Sequence, residues 1–217
     1  MGLTKHAKHR HYPRNLVSMF SDIPASKVSL FHAAKLNLPN WGANAPAEFD
    51  QGIWKFIELN HRYNNLLWDE EDLARRQHVP DGEIAANKRA IDGYNQRRND
   101  AIENIDSTLL LRLTQIKPEA TAWLNSETAG SIIDRLSIVS LKIFHMQLQT
   151  LRKEVTQTHI ETCQQKLERL TEQCHDLQRC LDALLTAAST GQAYFKIYRQ
   201  FKMYNDPTLN PYLYQNK

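Results

Sequence analysis

Ile160, Cys163, Leu167, Leu170, Cys174, Leu177, Leu181, Leu184 and Ala188 recur at alternating spacings of three and four. That is a coiled-coil-like seam and predicts a long helix, closed by Gly191 as a C′ glycine. Upstream, Ile132, Ile133, Leu136, Ile138, Val139, Leu141, Ile143, Phe144, Met146 and Leu148 make a segment apolar nearly all round. It predicts the most buried helix, starting after SETAGS with Thr128 or Ser131 as cap and running to about Val155. Ile84, Ile91, Ile102, Ile105, Leu109 and Leu113 mark a third helix, from Asp81 as cap to about Ile116, ahead of Pro118. Phe56, Leu59, Tyr63, Leu66 and Leu73 mark a fourth, from Pro46 to about Gln77. The short VPDG link makes these last two antiparallel neighbours.

Lesser elements flank this set. SKVSLFHAAKL predicts a short helix with Ser26 as cap, NLPNWGANAP a loop, and QAYFKIYRQFKMY a short aromatic helix. There is no internal repeat and almost no strand pattern. The expected fold is all-α: an antiparallel bundle of four long helices. A basic irregular N-terminal arm takes residues 1–45, the bundle 46–205 and a C-terminal tail 206–217.

One stretch breaks the pattern. In KRAIDGYNQRRND, Asn95 falls within the apolar stripe, with Lys88 and Asn99 beside it and Asp92 at its edge. The preceding helix carries a second stripe, Trp54, Glu58, His61, Asn65, Trp68, Asp72 and Arg75. Trp in a polar stripe implies a covered face. A hairpin turning near Pro80 sets Asp72 opposite Lys88, Trp68 opposite Asp92, Asn65 opposite Asn95 and His61 opposite Asn99. Glu58, His61, Asn99, Glu103, Lys142 and His145 then fall at one height. Two readings stay open: a structural network that fixes helix register, or a ligand site between helices. Arg75, Lys88, Arg98, Arg135 and Lys142 suit an anion. Glu71 and Asp72 are the acid/base candidates if chemistry occurs. Gly130 among the hydroxyls of SETAGS suggests either an anion-binding helix start or ordinary capping.

Composition narrows the classes. Hydrophobic residues are 41% and charged residues 24% of the 217, consistent with a folded core. A formal net charge of +3 gives no argument for nucleic-acid binding. No apolar run approaches the ~20 residues of a membrane span. The basic start MGLTKHAKHRHYPRN is not followed by an apolar h-region, so it does not read as a secretory signal. His6 stands where myristoylation expects Ser or Thr. Cys163 and Cys174 share a face but lie roughly 16 Å apart along one helix, too far for a disulfide. With Cys180 they read as reduced thiols of a cytoplasmic protein. Glu58 and His61 match half of a di-iron pattern, but Glu172 and His175 lie opposite the apolar seam, so no metal site is expected. His6, His9 and His11 read as part of a solvated basic tail.

The runs NNLLWDEEDLARR, IAANKRAIDGYNQRRNDAIENID, SETAGSIIDRLSIVSLKIFHM and QFKMYNDPTLNPYLY together resemble an uncharacterised bacterial helical family, domain of unknown function 4254. The resemblance covers roughly Phe56 to the C-terminus. Its pattern falls on Asn64, Trp68, Glu71, Asp72 and Arg75. It continues on Lys88, Arg89, Asp92, Asn95, Arg98, Asn99, Asp100 and Glu103, then on Ser126, Glu127, Gly130, Ser131, Asp134, Arg135 and Lys142. Ala129 departs from it, where many members have proline. Members are often encoded beside glycosyltransferases of surface-glycan assembly. The resemblance therefore implies a cell-envelope role in lipopolysaccharide-type glycan synthesis, without an established reaction. The expected ligand is an anionic sugar or nucleotide-sugar held by Asn64, Trp68, Arg75, Lys88, Asp92, Asn95, Arg98, Asn99 and Arg135. No cofactor is implied. A glycosyltransferase and a second copy of the chain are the candidate protein partners. The alternatives are an enzyme acting on such a ligand and a structural helical adaptor.

Overall fold

The computed structural model describes residues 19–199 and 208–209. His6, His9, His11 and most of the 206–217 tail lie outside them. The described chain is all-α apart from two dipeptide strands. Its elements are α1 (Ala25–Leu36), α2 (Trp41–Asn44), α3 (Gly52–Leu73), α4 (Asp81–Arg112), β1 (Trp123–Leu124), α5 (Ala129–Thr150), α6 (Gln157–Ser189) and β2 (Ala193–Tyr194). No helix among the described residues is long and apolar enough to cross a membrane.

The four long helices fall within the segments that the hydrophobic periodicity predicts, though α3, α4 and α5 end at Leu73, Arg112 and Thr150, four or five residues before the expected Gln77, Ile116 and Val155. Pro80 precedes α4, and Asp81 and Glu83 complement the helix dipole in its first turn. Thr128 caps α5 by accepting from the Ser131 N–H at 3.1 Å. Thr156 caps α6 by accepting from the His159 N–H at 3.2 Å. Gly191 follows α6 at φ 78°, the left-handed conformation of a C′ glycine.

Tertiary contacts shift other boundaries. The helix expected from Pro46 begins only at Gly52. Residues 45–49 are instead held as a loop by two side chains one turn apart on α3. Glu58 accepts the N–H groups of Glu48 and Phe49 at 2.9 and 3.0 Å. Arg62 donates to the Ala45 carbonyl at 2.8 Å and to that of Trp41 at 3.3 Å. α1 starts one residue before Ser26, with Pro24 in the cap position. The first N–H, of Ala25, donates to Asp182 of α6 at 2.9 Å.

The segment expected as an aromatic helix is not helical over its described part. Residues 192–199 carry β2 and extended chain. β2 pairs parallel with β1, Trp123 opposite Ala193. Ala193 and Phe195 are buried while Lys196 is exposed, so the working period here is nearer two than 3.6. Residues 200–204 of that segment lie outside the described residues.

α5 is the central helix: α1, α3, α4 and α6 all pack on it. Ile133, Leu136 and Leu141 of α5 are fully buried, with Ile57, Ile105, Leu109, Leu181 and Leu184 from its neighbours. α3 and α4 run antiparallel: Tyr63 stacks on Tyr94, Glu70 accepts from Asn87, and Glu71 pairs with Lys88. α6 packs on α5 and α1. Within the expected N-terminal arm, residues 19–45 carry α1 and α2, and Phe20, Ile23 and Val28 enter the core. Arg112 holds Asp22 with two bonds, at 2.7 and 2.9 Å.

Candidate functional site

α3 turns a row of polar side chains toward α5. Asn60 and Asn64, one turn apart, both donate to Oδ1 of Asp134 at 2.8 Å. Asn64 also donates to Ser137 Oγ at 3.0 Å. His61 Nδ1 lies 2.8 Å from Ser137 Oγ, and His61 Nε2 lies 3.1 Å from the His32 carbonyl. A carbonyl only accepts, so Nε2 carries the proton and Nδ1 accepts from the Ser137 hydroxyl. Burial holds His61 neutral, its pKa pushed down to about 3 against the favourable His32 carbonyl. His32 stacks on His61 with ring centroids 4.4 Å apart. Burial, and then the neighbouring His61, push its pKa well below the ordinary value.

Above this bed α4 contributes Arg98. Its Nε comes within 3.9 Å of Asp134 Oδ1 but makes no hydrogen bond among the described residues. Trp68, one turn beyond Asn64, has a buried indole N–H with no acceptor among the described residues. Asn64, Trp68 and Arg98 line one cleft between α3, α4 and α5, with Glu71, Asp72, Arg75 and the apolar Leu67, Ile138 and Leu141. Its volume is about 280 Å³. Trp68 and Asp72 also wall a second cleft of about 610 Å³, between α3, α5 and α6. There Trp68 stacks on His145, centroids 4.3 Å apart and planes 6° from parallel.

The sequence-predicted residues therefore divide. Asn64, Trp68, Arg75 and Arg98 come together, as do the acid/base candidates Glu71 and Asp72. Those carboxylates stand near the surface as ion-pair partners: Arg75 reaches Asp72 at 3.2 Å and Glu71 at 3.5 Å. Lys88 sits beside them, 3.7 Å from Glu71 rather than opposite Asp72. Asp92 is exposed and Asn95 half-buried, and neither lines these clefts. Asn99 is buried in a different cleft of about 150 Å³, with Glu103, Asp106 and Thr128. Arg135 is exposed and tied to Glu127 at 2.8 Å.

The buried face of α3 thus closes on α5 and α1, not on the polar stripe of α4. The start of α5 is capped rather than open. Asp106 accepts the Gly130 N–H at 2.6 Å. Its own pKa is raised to about 6 by burial, against the hydrogen bonds from Thr128 and Gly130. Glu172 and His175 are exposed, as their position opposite the seam predicts. Among the described residues no cluster of three or more His, Cys, Asp or Glu side chains is arranged to hold a metal.

Asn60 and Ser137 were not singled out by sequence reasoning. For Asn60 the signal existed: an amide one turn before Asn64, beside the buried Ile57. Ser137 carried none, being a small residue in an apolar helix.

The family model described as a protein of unknown function, domain of unknown function 4254, matches residues 54–197. The chain belongs to this family. The matched span begins at Trp54 and takes in both clefts, but not His32 and its neighbours on α1. No curated protein and no solved structure matches the chain.

Proposed function

We propose that this member of the domain of unknown function 4254 family binds an anionic sugar or nucleotide-sugar in the cleft between α3, α4 and α5. It would act in the cytoplasm as an accessory protein of cell-surface glycan synthesis. The fold it rests on is an antiparallel bundle of the four long helices, left open between α3 and α6. One observation carries the reading. Arg98 has five N–H donors, no hydrogen bond among the described residues, and a partly exposed guanidinium 3.9 Å from Asp134, which Asn60 and Asn64 hold in turn. Trp68 lines the same cleft, and its enclosed indole N–H has no acceptor among the described residues. A guanidinium only donates, so it asks for oxygen acceptors, and a carboxylate or phosphate engages it best. The buried Nε of Arg98 and the indole N–H of Trp68 are costly to leave without an acceptor. The surface-glycan setting comes from the family resemblance.

The test is thermal shift and titration calorimetry against a panel of nucleotide-sugars, hexuronates and sugar phosphates. A ligand present at a hundred times its Kd stabilises by about 2.7 kcal/mol. Arg98→Gln is expected to remove that shift. No shift with any member of the panel overturns the reading. Asp72 lines both clefts, so an enzymatic role is separable: Asp72→Asn would keep affinity and lose only product formation.

A further inference from the structure

The cleft holding Arg98 is about 280 Å³, just under the usual range for small-molecule sites, whereas its neighbour at about 610 Å³ lies well inside it. The two share Trp68 and Asp72 as a common wall. A ligand seated against Arg98 therefore has a larger space to extend into, one helical face away.

That second space is chemically distinct. Lys142 of α5 and Lys166 and Arg169 of α6 line it, and none makes an ion pair or hydrogen bond among the described residues. Lys166 and Arg169 are three apart on one helix, so they repel each other mildly in the absence of a counter-ion. Its other walls are the half-buried Trp68–His145 stack, Met146 and Leu170, with Gln149 and with Asp72, whose carboxylate is already paired to Arg75 at 3.2 Å. A simple anion would satisfy the cations and leave these walls wet. An apolar ring alone would cover the walls and leave three charges unmatched. A group with both a planar ring and two linked phosphates uses the whole surface.

We infer that the cleft between α3, α5 and α6 is a nucleoside-diphosphate subsite, with Lys142, Lys166 and Arg169 holding the phosphates and the walls beside Trp68 and His145 holding the nucleoside. The inference rests on the proposed binding of a nucleotide-sugar and assigns its two halves: sugar against Arg98, nucleoside diphosphate across the Trp68 wall.

Uridine, adenosine and guanosine diphosphates, and inorganic pyrophosphate, are titrated into the full chain by calorimetry at 0.15 M salt, which screens exposed charges beyond about 8 Å. The double variant Lys166→Glu/Arg169→Glu changes two exposed side chains, and circular dichroism checks its fold. Lys117→Glu/Lys196→Glu, two exposed residues beyond the far end of α6, makes the same change of net charge and is the control. At least one nucleoside diphosphate is expected to bind more tightly than pyrophosphate. The double variant should weaken it tenfold or more, and the control by less than twofold. Arg98→Gln should leave that affinity intact while weakening the matching nucleotide-sugar.

Equal loss in the control, no loss in the double variant, or pyrophosphate binding as tightly as every nucleoside diphosphate overturns the subsite. If hexuronates or nucleotide-sugars bind through Arg98 and ignore the double variant, the subsite falls and the Arg98 cleft stands. If nucleoside diphosphates bind as expected and Arg98→Gln changes no sugar ligand, the Arg98 cleft falls and the subsite stands. Binding of nothing in either panel overturns both.

Discussion

Asn64 of α3 and Asp134 of α5 are joined by a 2.8 Å hydrogen bond, and Asn60 reaches the same carboxylate oxygen at the same distance. One oxygen thus holds two amides of α3 and lies 3.9 Å from a guanidinium of α4. Removing the carboxylate strands the Asn60 amide, leaves Asn64 only Ser137 and takes the counter-charge from Arg98, whereas removing the guanidinium leaves both amide bonds intact. Asp134→Ala is therefore expected to cost about 3 kcal/mol, as for other broken buried charge networks. Arg98→Met should cost about 1 kcal/mol or less, since the pair is long and partly exposed. Urea unfolding measures both. Equal costs would mean that the network does not converge on Asp134.

The stacked His32 and His61 make the fold sensitive to acid. Both are neutral when folded, with pKa values below the unfolded value of 6.5. The unfolded chain then binds more protons, so stability falls as pH drops below 6.5, by about 1.4 kcal/mol per pH unit for each ring fully titrated. For His61 the loss continues down to its folded value of about 3.

Asp106 acts in the opposite sense. Its folded pKa of about 6 exceeds the ordinary 3.8, so it contributes stability as pH falls from 6 toward 3.8. The net slope below pH 6 should be close to that of one histidine. Asp106→Asn should steepen it and His32→Phe should flatten it. Urea midpoints at pH 7.5, 6 and 5 decide this, and a slope unchanged in either variant would contradict the assignment.

Glu58 and Arg62 give a local prediction. Glu58 alone accepts the N–H groups of both Glu48 and Phe49. Glu58→Ala should free residues 45–49, raising amide exchange at Glu48 and Phe49 at least tenfold relative to the amides of α5. Exchange that stays slow would show that Arg62 suffices to hold the loop.

These contacts explain what was legible in the sequence. The starts of α4 and α5 and the end of α6 were readable because Pro80, Thr128 and Gly191 act through their own backbone or cap. The start of α3 was not: Pro46 suits a first helical turn, but the side chains that hold its segment outside the helix, Glu58 and Arg62, come twelve and sixteen residues later. The site was half readable for a geometric reason. A helix turns about 100° per residue, so α3 offers Tyr63, Glu70 and Glu71 to α4 and Asn60, Asn64 and His61 to its other neighbours. Hairpin adjacency alone directed every polar position of α3 toward α4, and Asp92, Asn95 and Asn99 were placed in the site on that account. Lys166 and Arg169 look like any solvated cations flanking a seam until Trp68 and His145 are set beside them.

Two glycines separate close packing from chance. Gly93 lies inside α4 with nothing within 4 Å of where a Cβ would stand. Gly93→Ala should therefore stabilise the protein by about 0.5–1 kcal/mol, the difference in helix cost between the two residues. Gly130, in the first turn of α5, faces the opposite constraint. A Cβ there would come 2.7 Å from the Ile102 carbonyl oxygen and 2.8 Å from Asp106 Oδ1. A backbone carbonyl within α4 cannot swing aside as a side chain can. Gly130→Ala must then push α5 away from α4 or break the Asp106 bond to its own N–H, at about 1–3 kcal/mol. The signs of the two effects in urea unfolding are the check. A neutral Gly130→Ala would mean that α5 sits further from α4 than these distances require. The buried Asp106 would then lose the close N–H partner that keeps its pKa from rising further.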